Sequence, residues 1–286
     1  MPKVFILILH YGEQEDTLEC LRLLEKLDYP NFEVLVIDND PNRRLGDLNF
    51  NYKITKLTNE KNLGFSGGNN TGIKYALENG ADYVLLLNND TVIERNFLKI
   101  LVEAGEKDEK TGIIGPVIYR CGTNEIHFAG GEINWLYTEA RHVPGAVDFI
   151  TGACLLIKRK VIEKIGLMPE EYFLYFEDAE WCLKARKAGF DCRVVSEARI
   201  GHIVSKNTQE YSFSYIYYHY RNGLLLAKRN APFLTKILAY KISFLVYIKQ
   251  VIKLVLMPSK KVWAKAAIRG IEDFYKGKTG QYENRN

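Results

Sequence analysis

The sequence predicts an α/β fold in which helices flank a mainly parallel sheet, followed by a C-terminal amphipathic helical tail. Apolar runs of strand length alternate with segments of helical periodicity through the first half of the chain. This alternation is typical of parallel sheets that are covered on both faces. A length of 286 residues allows one sizeable core and an appendage. Hydrophobic residues at 47% and charged residues at 26% are ordinary for a globular protein.

The elements of the first half follow one another at short intervals. Strands are predicted over Val4–Leu9, Glu33–Ile37, Tyr52–Leu57 and Tyr83–Leu87, and helices over Asp16–Leu27 and Gly67–Asn79. Two of the strands end in clusters of Asp and Asn, and ligands of open α/β sheets bind beyond the carboxyl ends of strands. The sequence therefore predicts a binding site at these two strand ends.

The second half carries a weaker pattern. Its predicted elements are a β-rich stretch over residues 112–157 with a strand at Phe149–Ile157, a helix over Asp178–Lys187, a strand over Cys192–Val195 and an aromatic helix over Tyr211–Arg229. Ala231 and Pro232 end the last helix. We therefore divide the chain into a body over residues 1–230 and a tail over residues 231–286.

The tail is basic as well as apolar. It holds eleven Lys and Arg against three acids, whereas the whole chain has a net charge of +4. Within Phe233–Leu256, Lys236, Lys241, Lys249 and Lys253 lie too near the centre for a transmembrane span. They favour a helix that lies in the interface of an anionic membrane. A helix packed on the body or in a homodimer is the alternative, and the long apolar face suits lipid better than nucleic acid.

Cysteine usage and the N-terminus bear on the compartment. The five cysteines form no C-x-x-C pair, which argues against a disulfide scaffold or zinc module and favours a reducing compartment. The first apolar run is too short for a signal peptide and leads into His10-Tyr11-Gly12 without a cleavage site. We therefore expect a cytoplasmic protein, peripheral at the cytosolic face of the cell membrane.

Acidic and amide side chains follow the second and fourth strands. Asp38 and Asn39 end the second strand, and Asn88-Asn89-Asp90 follows the fourth. A carboxylate at Asp38 can accept a hydrogen bond from the N3–H of uracil or thymine, or from a ribose. The alternative is a turn, because Asp38-Asn39-Asp40-Pro41 is also favourable turn chemistry.

A glycine-rich segment lies between these two clusters. Asn62 to Gly72 holds four glycines in eleven residues and leads into a predicted helix. Glycine lets a ligand approach the backbone, and a helix N-terminus favours a negative group. The segment is neither a G-x-G-x-x-G fingerprint after the first strand nor a P-loop, which ends in Gly-Lys-Ser/Thr.

Four segments in this order resemble family 2 glycosyltransferases, in particular their rhamnosyltransferase-like branch. The segments are Val34–Asn39, Asn62–Gly72, Leu85–Thr91 and Phe173–Asp178, and further marks are Thr151–Leu156, Gly201-His202 and Tyr220-Arg221-Asn222. The resemblance spans about residues 3–230. It implies a Rossmann-like GT-A fold and inverting, metal-dependent transfer of a sugar from a UDP- or dTDP-sugar donor, with rhamnose as the first guess. The implied acceptor is a hydroxyl of a glycan or lipid-linked molecule in cell-surface polysaccharide synthesis.

The resemblance also implies roles for individual residues. Asp90 and His202 are the expected ligands of a divalent metal, Mn²⁺ or Mg²⁺, with Asn88 in the place of the first acid of a D-x-D motif. The residues expected at the nucleotide are Asp38, Asn39, Asn62, Gly64, Gly67, Asn69, Asn89 and Arg221. A guanidinium at Arg221 suits bidentate contact with phosphate.

Asp178 is the expected general base, and Glu177 is its neighbour or substitute. The base removes the proton from the acceptor hydroxyl, and an unperturbed Asp is ionised at neutral pH as that role requires. The alternative is that Asp178 caps the helix that begins there, and the two roles are compatible. The tyrosines between residues 215 and 220 are expected to pack in the core or a lid rather than to stack on an acceptor.

Two other functions remain open on the residues alone. A non-catalytic module that binds a nucleotide sugar or a glycan would use the same fold but would have no need of a base. A sugar nucleotidyltransferase would need a Gly-rich, Arg-containing loop after the first strand, and residues 10–16 lack one.

Overall fold

The computed structural model describes residues 1–203 and 212–283 and confirms an α/β fold with helices on both sides of a central sheet. The strands are β1 Val4–His10, β2 Phe32–Asp38, β3 Ile54–Thr58, β4 Tyr83–Leu87, β5 Thr91–Ile93, β6 Thr111–Arg120, β7 Ile126–Phe128, β8 Gly131–Asn134, β9 Glu139–His142, β10 Cys154–Lys158 and β11 Asp191–His202. The helices are α1 Gln14–Leu24, α2 Gly64–Glu78, α3 Phe97–Glu106, α4 Arg159–Ile165, α5 Glu177–Lys187, α6 Phe213–Asn230, α7 Phe233–Leu256 and α8 Lys261–Tyr275. Short 3₁₀ turns span Glu170–Tyr172 and Pro258–Lys260.

Among the described residues, nine strands form one sheet in the order β3-β2-β1-β4-β10-β6-β11-β5, with β7 paired to β6. The first four of these strands are parallel neighbours, as predicted. β10 is antiparallel to both β4 and β6, β6 is parallel to β11, and β5 is antiparallel to β11. Most strands therefore point one way, and β5, β7 and β10 are reversed. β8 and β9 form a separate hairpin.

The core is built on the central strands because their side chains are apolar on both faces. Each residue of Tyr83–Leu87 is at most 2% exposed, and Phe97, Leu98 and Leu101 of α3 are fully buried. Removing this apolar surface from water is the main driving force for the sheet and its covering helices. The predicted strand over Tyr83–Leu87 has the observed bounds.

Strand register brings distant polar residues to one edge of the sheet. His10 at the end of β1 lies opposite Asp38 at the end of β2. Thr91 at the start of β5 lies opposite His202 at the end of β11. Asp90, which immediately precedes β5, is thereby placed next to His202.

Helix α2 begins at Gly64, three residues before the predicted start, so most of the glycine-rich segment is helical rather than a loop. The Asn62 side-chain oxygen accepts the Gly64 N–H at 2.8 Å, and Gly64 has a φ of +73°, which glycine tolerates. A Cβ on Gly72 would lie 2.8 Å from side-chain atoms of Leu7 and Ile37. The glycines therefore allow α2 to pack closely on β1 and β2.

Other boundaries of the second half also differ from the sequence prediction. The strand predicted over Phe149–Ile157 is confined to β10, because Thr151–Ala153 makes a turn before it. The strand predicted over Cys192–Val195 extends over the whole of β11, and the predicted helix start at Tyr211 lies outside the described residues.

The C-terminal helices continue directly from the body. The observed α7 has the predicted bounds of the apolar tail segment, whereas α8 was not predicted. α8 packs against both α6 and α7. None of the helices among the described residues has the length and apolar character needed to cross a bilayer. The division of the chain at residue 230 coincides with the end of α6 and stays a prediction.

Candidate active site

A carboxylate and an imidazole face each other at the junction of β5 and β11. Asp90 Oδ1 lies 3.1 Å from His202 Nε2, and the two side chains are 16% and 9% exposed. Both atoms are buried, and neither makes a hydrogen bond within the described residues. The two atoms are within ion-pair distance of each other, and because buried polar atoms normally have hydrogen bonds, their lack of any also suits two cation ligands.

The donor set limits what such a site can hold. Within residues 1–203 and 212–283, no group of three or more His, Cys, Asp and Glu side chains is arranged to hold a metal ion. One carboxylate oxygen and one imidazole nitrogen fit a divalent cation such as Mn²⁺, and the remaining ligands would be phosphate oxygens and water. The residues present therefore fit the predicted cofactor.

The turn before β5 is held from inside the protein. Asn89 donates to the Thr17 hydroxyl at 2.9 Å, and the same hydroxyl lies 2.9 Å from His10 Nδ1. The Asn88 carbonyl accepts the Thr91 hydroxyl at 2.8 Å. The Asn89 amide group is thus engaged with α1, where it fixes the turn that presents Asp90.

Two acids lie in the first turn of α5. The helix begins at Glu177, and the preceding Phe176 has a left-handed φ of +74°. Asp178 is therefore inside the first turn and does not cap the helix, contrary to the alternative drawn from the sequence. Its Oδ2 accepts the Gly152 N–H at 2.9 Å, and its Oδ1 accepts the Ala179 N–H at 2.7 Å.

The turn at residues 151–153 joins the two parts of the site. Gly152 donates to Asp178, and the Ala153 carbonyl accepts the Asn88 N–H at 2.9 Å. A Cβ on Gly152 would lie 2.9 Å from the Phe65 ring. A single short turn therefore links the carboxylate of α5 to the Asn88–Asp90 turn and has no room for a side chain at its centre.

The environments of the two acids differ. Burial and the neighbouring Asp178 raise the pKa of Glu177 well above its usual range, and Glu177 Oε2 has no hydrogen-bond partner among the described residues. Burial also raises the pKa of Asp178, but the N–H groups of Gly152 and Ala179 oppose that shift. Hydrogen bonds to the charged form favour it. The two N–H groups therefore favour the charged form at Asp178 over the charged form at Glu177.

Asp38 keeps one acceptor for a ligand. It is 1% exposed, and its Oδ2 accepts the Leu45 N–H at 3.1 Å. Its Oδ1 has no hydrogen bond among the described residues and lies 3.6 Å from the Arg44 guanidinium. A buried carboxylate oxygen without a hydrogen bond suits a donor N–H of a bound nucleotide.

The amides of Asn39 and Asn69, which were predicted at the nucleotide, are engaged within the protein. Asn39 donates to Asn62 Oδ1 at 3.0 Å and accepts the Leu63 N–H at 3.1 Å. Asn69 donates to the Phe65 carbonyl at 2.9 Å within α2. The Asn39 side chain therefore joins the end of β2 to the residues that lead into α2. Gly64 and Gly67 lie in the first turns of that helix.

Arg221 has a different setting from the one predicted. It is 1% exposed, and its guanidinium donates to the carbonyls of Gly280 at 2.6 Å, Tyr172 at 2.8 Å and Glu171 at 3.3 Å. A phosphate contact would require these bonds to break. The guanidinium N–H groups of Arg221 are therefore used to hold the backbone of the segment that precedes α5.

Two histidines near the site were not singled out from the sequence. The His127 ring stacks on His202 with centroids 5.3 Å apart, and the His142 ring meets His127 edge-on at 5.4 Å. Burial and the nearby His202 and His142 lower the pKa of His127 to about 4, so it is neutral at pH 7. No local pattern marks a lone histidine on a short strand, and only the pairing of β7 with β6 reveals this one.

A comparison with protein families identifies the family of the chain. The family model described as Glycosyl transferase family 2 matches residues 5–166, which is more than half of the chain. The chain belongs to glycosyl transferase family 2.

Relatives of this family 2 glycosyltransferase cover most of its length. It is 27% identical over 241 residues to the dTDP-rhamnosyl transferase RfbF of Shigella flexneri, covering 79% of this chain and 80% of that protein. It is 28% identical over 232 residues to the low-salt glycan biosynthesis hexosyltransferase Agl10 of Haloferax volcanii, covering 77% and 74%. The predicted enzyme class is therefore confirmed.

A solved structure confirms the predicted GT-A fold. The mannosyltransferase PcManGT from Pyrobaculum calidifontis, in complex with GDP-Man and Mn²⁺, superposes with a TM-score of 0.61. The match covers 97% of this chain and 88% of that one at 14% sequence identity. At this identity the likeness concerns the fold alone.

Proposed function

We propose that this enzyme transfers a hexose-type sugar from a UDP- or dTDP-sugar to a hydroxyl of a glycan or lipid-linked acceptor in cell-surface polysaccharide synthesis. The observation that carries the proposal is the shared support of Asp90 and Asp178 by the turn at residues 151–153. Rhamnose on a dTDP donor is the first candidate, because RfbF of Shigella flexneri is named as a dTDP-rhamnosyl transferase.

The nucleotide would lie beyond the ends of β1 and β2. Asp38 Oδ1 is a buried acceptor without a hydrogen bond among the described residues. The N3–H of uracil or thymine, or a ribose hydroxyl, is the kind of donor it suits. A carboxylate cannot tell uracil from thymine at N3, so this contact supports both UDP and dTDP.

Asp178 would act as the base in a single displacement. Each of its oxygens accepts one backbone N–H and keeps a further lone pair for the acceptor hydroxyl. As the hydroxyl oxygen bonds to C1 of the sugar, its proton passes to Asp178 and the bond from C1 to the diphosphate oxygen breaks. Attack from the face opposite the diphosphate inverts the anomeric centre. The two hydrogen bonds support the base role of Asp178, and the predicted inversion follows from displacement in one step.

Asp90 and His202 would hold the divalent metal. Asp90 Oδ1 and His202 Nε2 face each other at 3.1 Å, and neither accepts or donates a hydrogen bond in residues 1–203 and 212–283. When bound, a divalent ion would supply Lewis-acid stabilisation of the negative charge that develops on the departing diphosphate. The ring of His127 stacks on His202 and limits how that imidazole can turn.

The acceptor would be reached at an anionic membrane surface. α7 has no acidic residue, and its exposed side carries large apolar side chains such as Phe233, Phe244, Leu245 and Leu256, which are 61–74% exposed. Surfaces of this kind mark interaction sites. The lysines of the helix favour anionic lipid over a second copy of the chain, since like-charged tails would repel each other.

The function is tested first by calorimetric titration of UDP and dTDP, each with and without Mn²⁺. We expect metal-dependent binding of one nucleotide. Slow hydrolysis of one sugar in a panel of that nucleotide's sugars would then name the donor. Absence of binding by both nucleotides with metal present would contradict the proposed donor class.

A further inference from the structure

The segment that leads into α5 has an unusual backbone. Phe173, Tyr175 and Phe176 all have left-handed φ values, between 65° and 74°. The Leu174 N–H donates to the Tyr172 carbonyl at 2.8 Å, which makes a γ-turn with a left-handed central residue, a rare form. Such conformations persist only where the surroundings over-determine them, and they cluster at functional sites.

Neighbouring parts of the protein hold this backbone by hydrogen bonds to its carbonyl groups. Five successive carbonyls, from Glu171 to Tyr175, accept hydrogen bonds from groups outside the segment. The donors are Gly280 N at 2.7 Å and Arg221 at 3.3 Å on Glu171, Arg221 at 2.8 Å and Asn222 at 3.0 Å on Tyr172, Phe65 N at 2.7 Å on Phe173, and Asn222 at 2.8 Å on Leu174 and 3.0 Å on Tyr175. Arg221 and Asn222 are thus the main donors to this backbone.

Both side chains are enclosed and oriented by each other. Arg221 is 1% exposed and Asn222 is fully buried, and Arg221 Nε donates to Asn222 Oδ1 at 2.8 Å. That bond turns the Asn222 amino group toward the carbonyls. A buried guanidinium requires acceptors for its donors, and the faces of Tyr217 and Tyr218 lie 5.3 and 4.9 Å from it.

The C-terminal segment completes the arrangement. The Gly280 carbonyl accepts from Arg221 at 2.6 Å, and its N–H donates to the Glu171 carbonyl. The Tyr282 N–H donates to the Tyr218 hydroxyl at 2.8 Å. Residues that follow α8 therefore contact both Arg221 and the segment before α5 whose carbonyls Arg221 binds.

We propose that Arg221, Asn222 and the turn at Gly280 form a brace that fixes the backbone of residues 171–176 and thereby presents Asp178 to the acceptor hydroxyl. They are positioning residues, because they act through the backbone and touch no reacting atom. The proposal rests on the base role of Asp178 given above. It makes the end of the tail a part of the active-site architecture.

The first test replaces the main donor by Asn222→Ala. We expect the turnover number to fall at least tenfold, because a displacement of about 1 Å at a catalytic group can cost on the order of a hundredfold in rate. The dissociation constant of UDP or dTDP with Mn²⁺ should stay within about twofold, since Asp38 and Asp90 are not contacted. A general loss of folded protein would instead lower the number of binding sites per chain.

Amide hydrogen exchange over residues 171–180 gives a readout that does not depend on turnover. Exchange should be faster in Asn222→Ala than in the unaltered protein. If no nucleotide sugar is turned over by any form, the proposed function fails, whereas faster exchange in the variant still supports the brace. Unaltered exchange, or unaltered turnover per nucleotide-binding site, would overturn it.

A matched glycine pair tests the contribution of the tail. Gly280 and Gly277 have φ values of +76° and +71°, and an added Cβ would meet open space at both. Alanine therefore imposes the same kind of backbone strain at either position, but only Gly280 is bonded to Arg221 and Glu171. Gly280→Ala should lower turnover several-fold and quicken exchange over residues 171–180, and Gly277→Ala should do neither. Equal effects of the two variants would overturn the role of the tail.

Discussion

Replacement of Asp178 by Asn tests the proposed base with the least change of shape. The variant removes the charge and the basicity but keeps an oxygen acceptor for one of the two observed hydrogen bonds. Positioned general bases contribute about 10²- to 10⁴-fold in rate, which corresponds to roughly 3–5 kcal/mol in activation free energy. We therefore expect the turnover number to fall by that factor while nucleotide affinity is unchanged.

The cost in stability should be smaller than the cost in rate. In the Asp178→Asn variant either the Gly152 or the Ala179 N–H would face an amino group, and an unsatisfied buried donor costs about 1–3 kcal/mol. Removal of a buried charge offsets part of this, because burial raises the pKa of Asp178. The fall in activity therefore cannot be explained by unfolding if the melting temperature drops by less than about 10 °C.

Glu177→Gln is the matched control on the same helical turn. Burial raises the pKa of Glu177 well above its usual range, so a neutral amide resembles the protonated form that burial favours. Turnover and nucleotide affinity should both stay within about threefold of the unaltered enzyme. Turnover measured on the donor found by the hydrolysis panel checks both variants, together with calorimetric nucleotide binding. Retained turnover in Asp178→Asn, or an equal loss in both variants, would refute the assignment of the base.

Three further results are expected. Mn²⁺ should increase nucleotide affinity, and Asp90→Asn and His202→Ala should each reduce that increase by about tenfold or more. The control Asp82→Asn, at the far end of β4, should leave it unchanged. An unchanged Mn²⁺ dependence of nucleotide binding in calorimetry would count against the metal site. Because the pKa of Glu177 is raised on folding, its contribution to stability is complete below the unfolded pKa of about 4.3 and is lost as the pH rises through the folded value. Glu177→Gln should therefore gain stability relative to the unaltered protein between pH 5 and pH 8 in urea unfolding, and parallel curves would contradict this. The double variant Phe244→Glu and Leu245→Glu should abolish flotation with phosphatidylglycerol vesicles, and Leu136→Glu, on the separate hairpin, should leave flotation intact. Full flotation of the double variant would refute membrane binding by α7. If the unaltered protein were a dimer and the double variant a monomer, the exposed face of α7 would be assigned to a second copy of the chain.

The parallel half of the sheet could be predicted because its strands are buried on both faces. The run Tyr83–Leu87 is apolar throughout, and its predicted bounds are the observed ones. Asp38 and Asp90 were expected at strand ends on the same ground, and both lie there. Burial of a whole strand leaves a signal in each of its residues, so local sequence was sufficient.

The reversed strands and the start of α2 depend on long-range contacts. β10 is shorter than its apolar run because Gly152 turns away to meet Asp178, 26 residues later. α2 includes glycines that the sequence suggests as a loop, since only the packed structure reveals that Leu7 and Ile37 need their space. α8 is amphipathic, with Ala264, Ala267, Ile271 and Phe274 buried, so the local sequence carried a helix signal that we did not interpret as a separate element.

Arg221 was predicted to lie near the active site, but its hydrogen-bond partners could not be predicted from the motif. A guanidinium offers the same donors to a phosphate and to a row of carbonyls, so the sequence is compatible with either. The carbonyls of Glu171 and Tyr172 take precedence in this chain because the left-handed residues after them leave the backbone without its usual partners. A backbone that must be held in such a conformation needs donors that do not exchange with water, and a buried Arg221 beside Asn222 supplies them. The charge of Arg221 is therefore used to shape the approach to Asp178, and its effect on catalysis should appear in the turnover number and not in the affinity for the nucleotide.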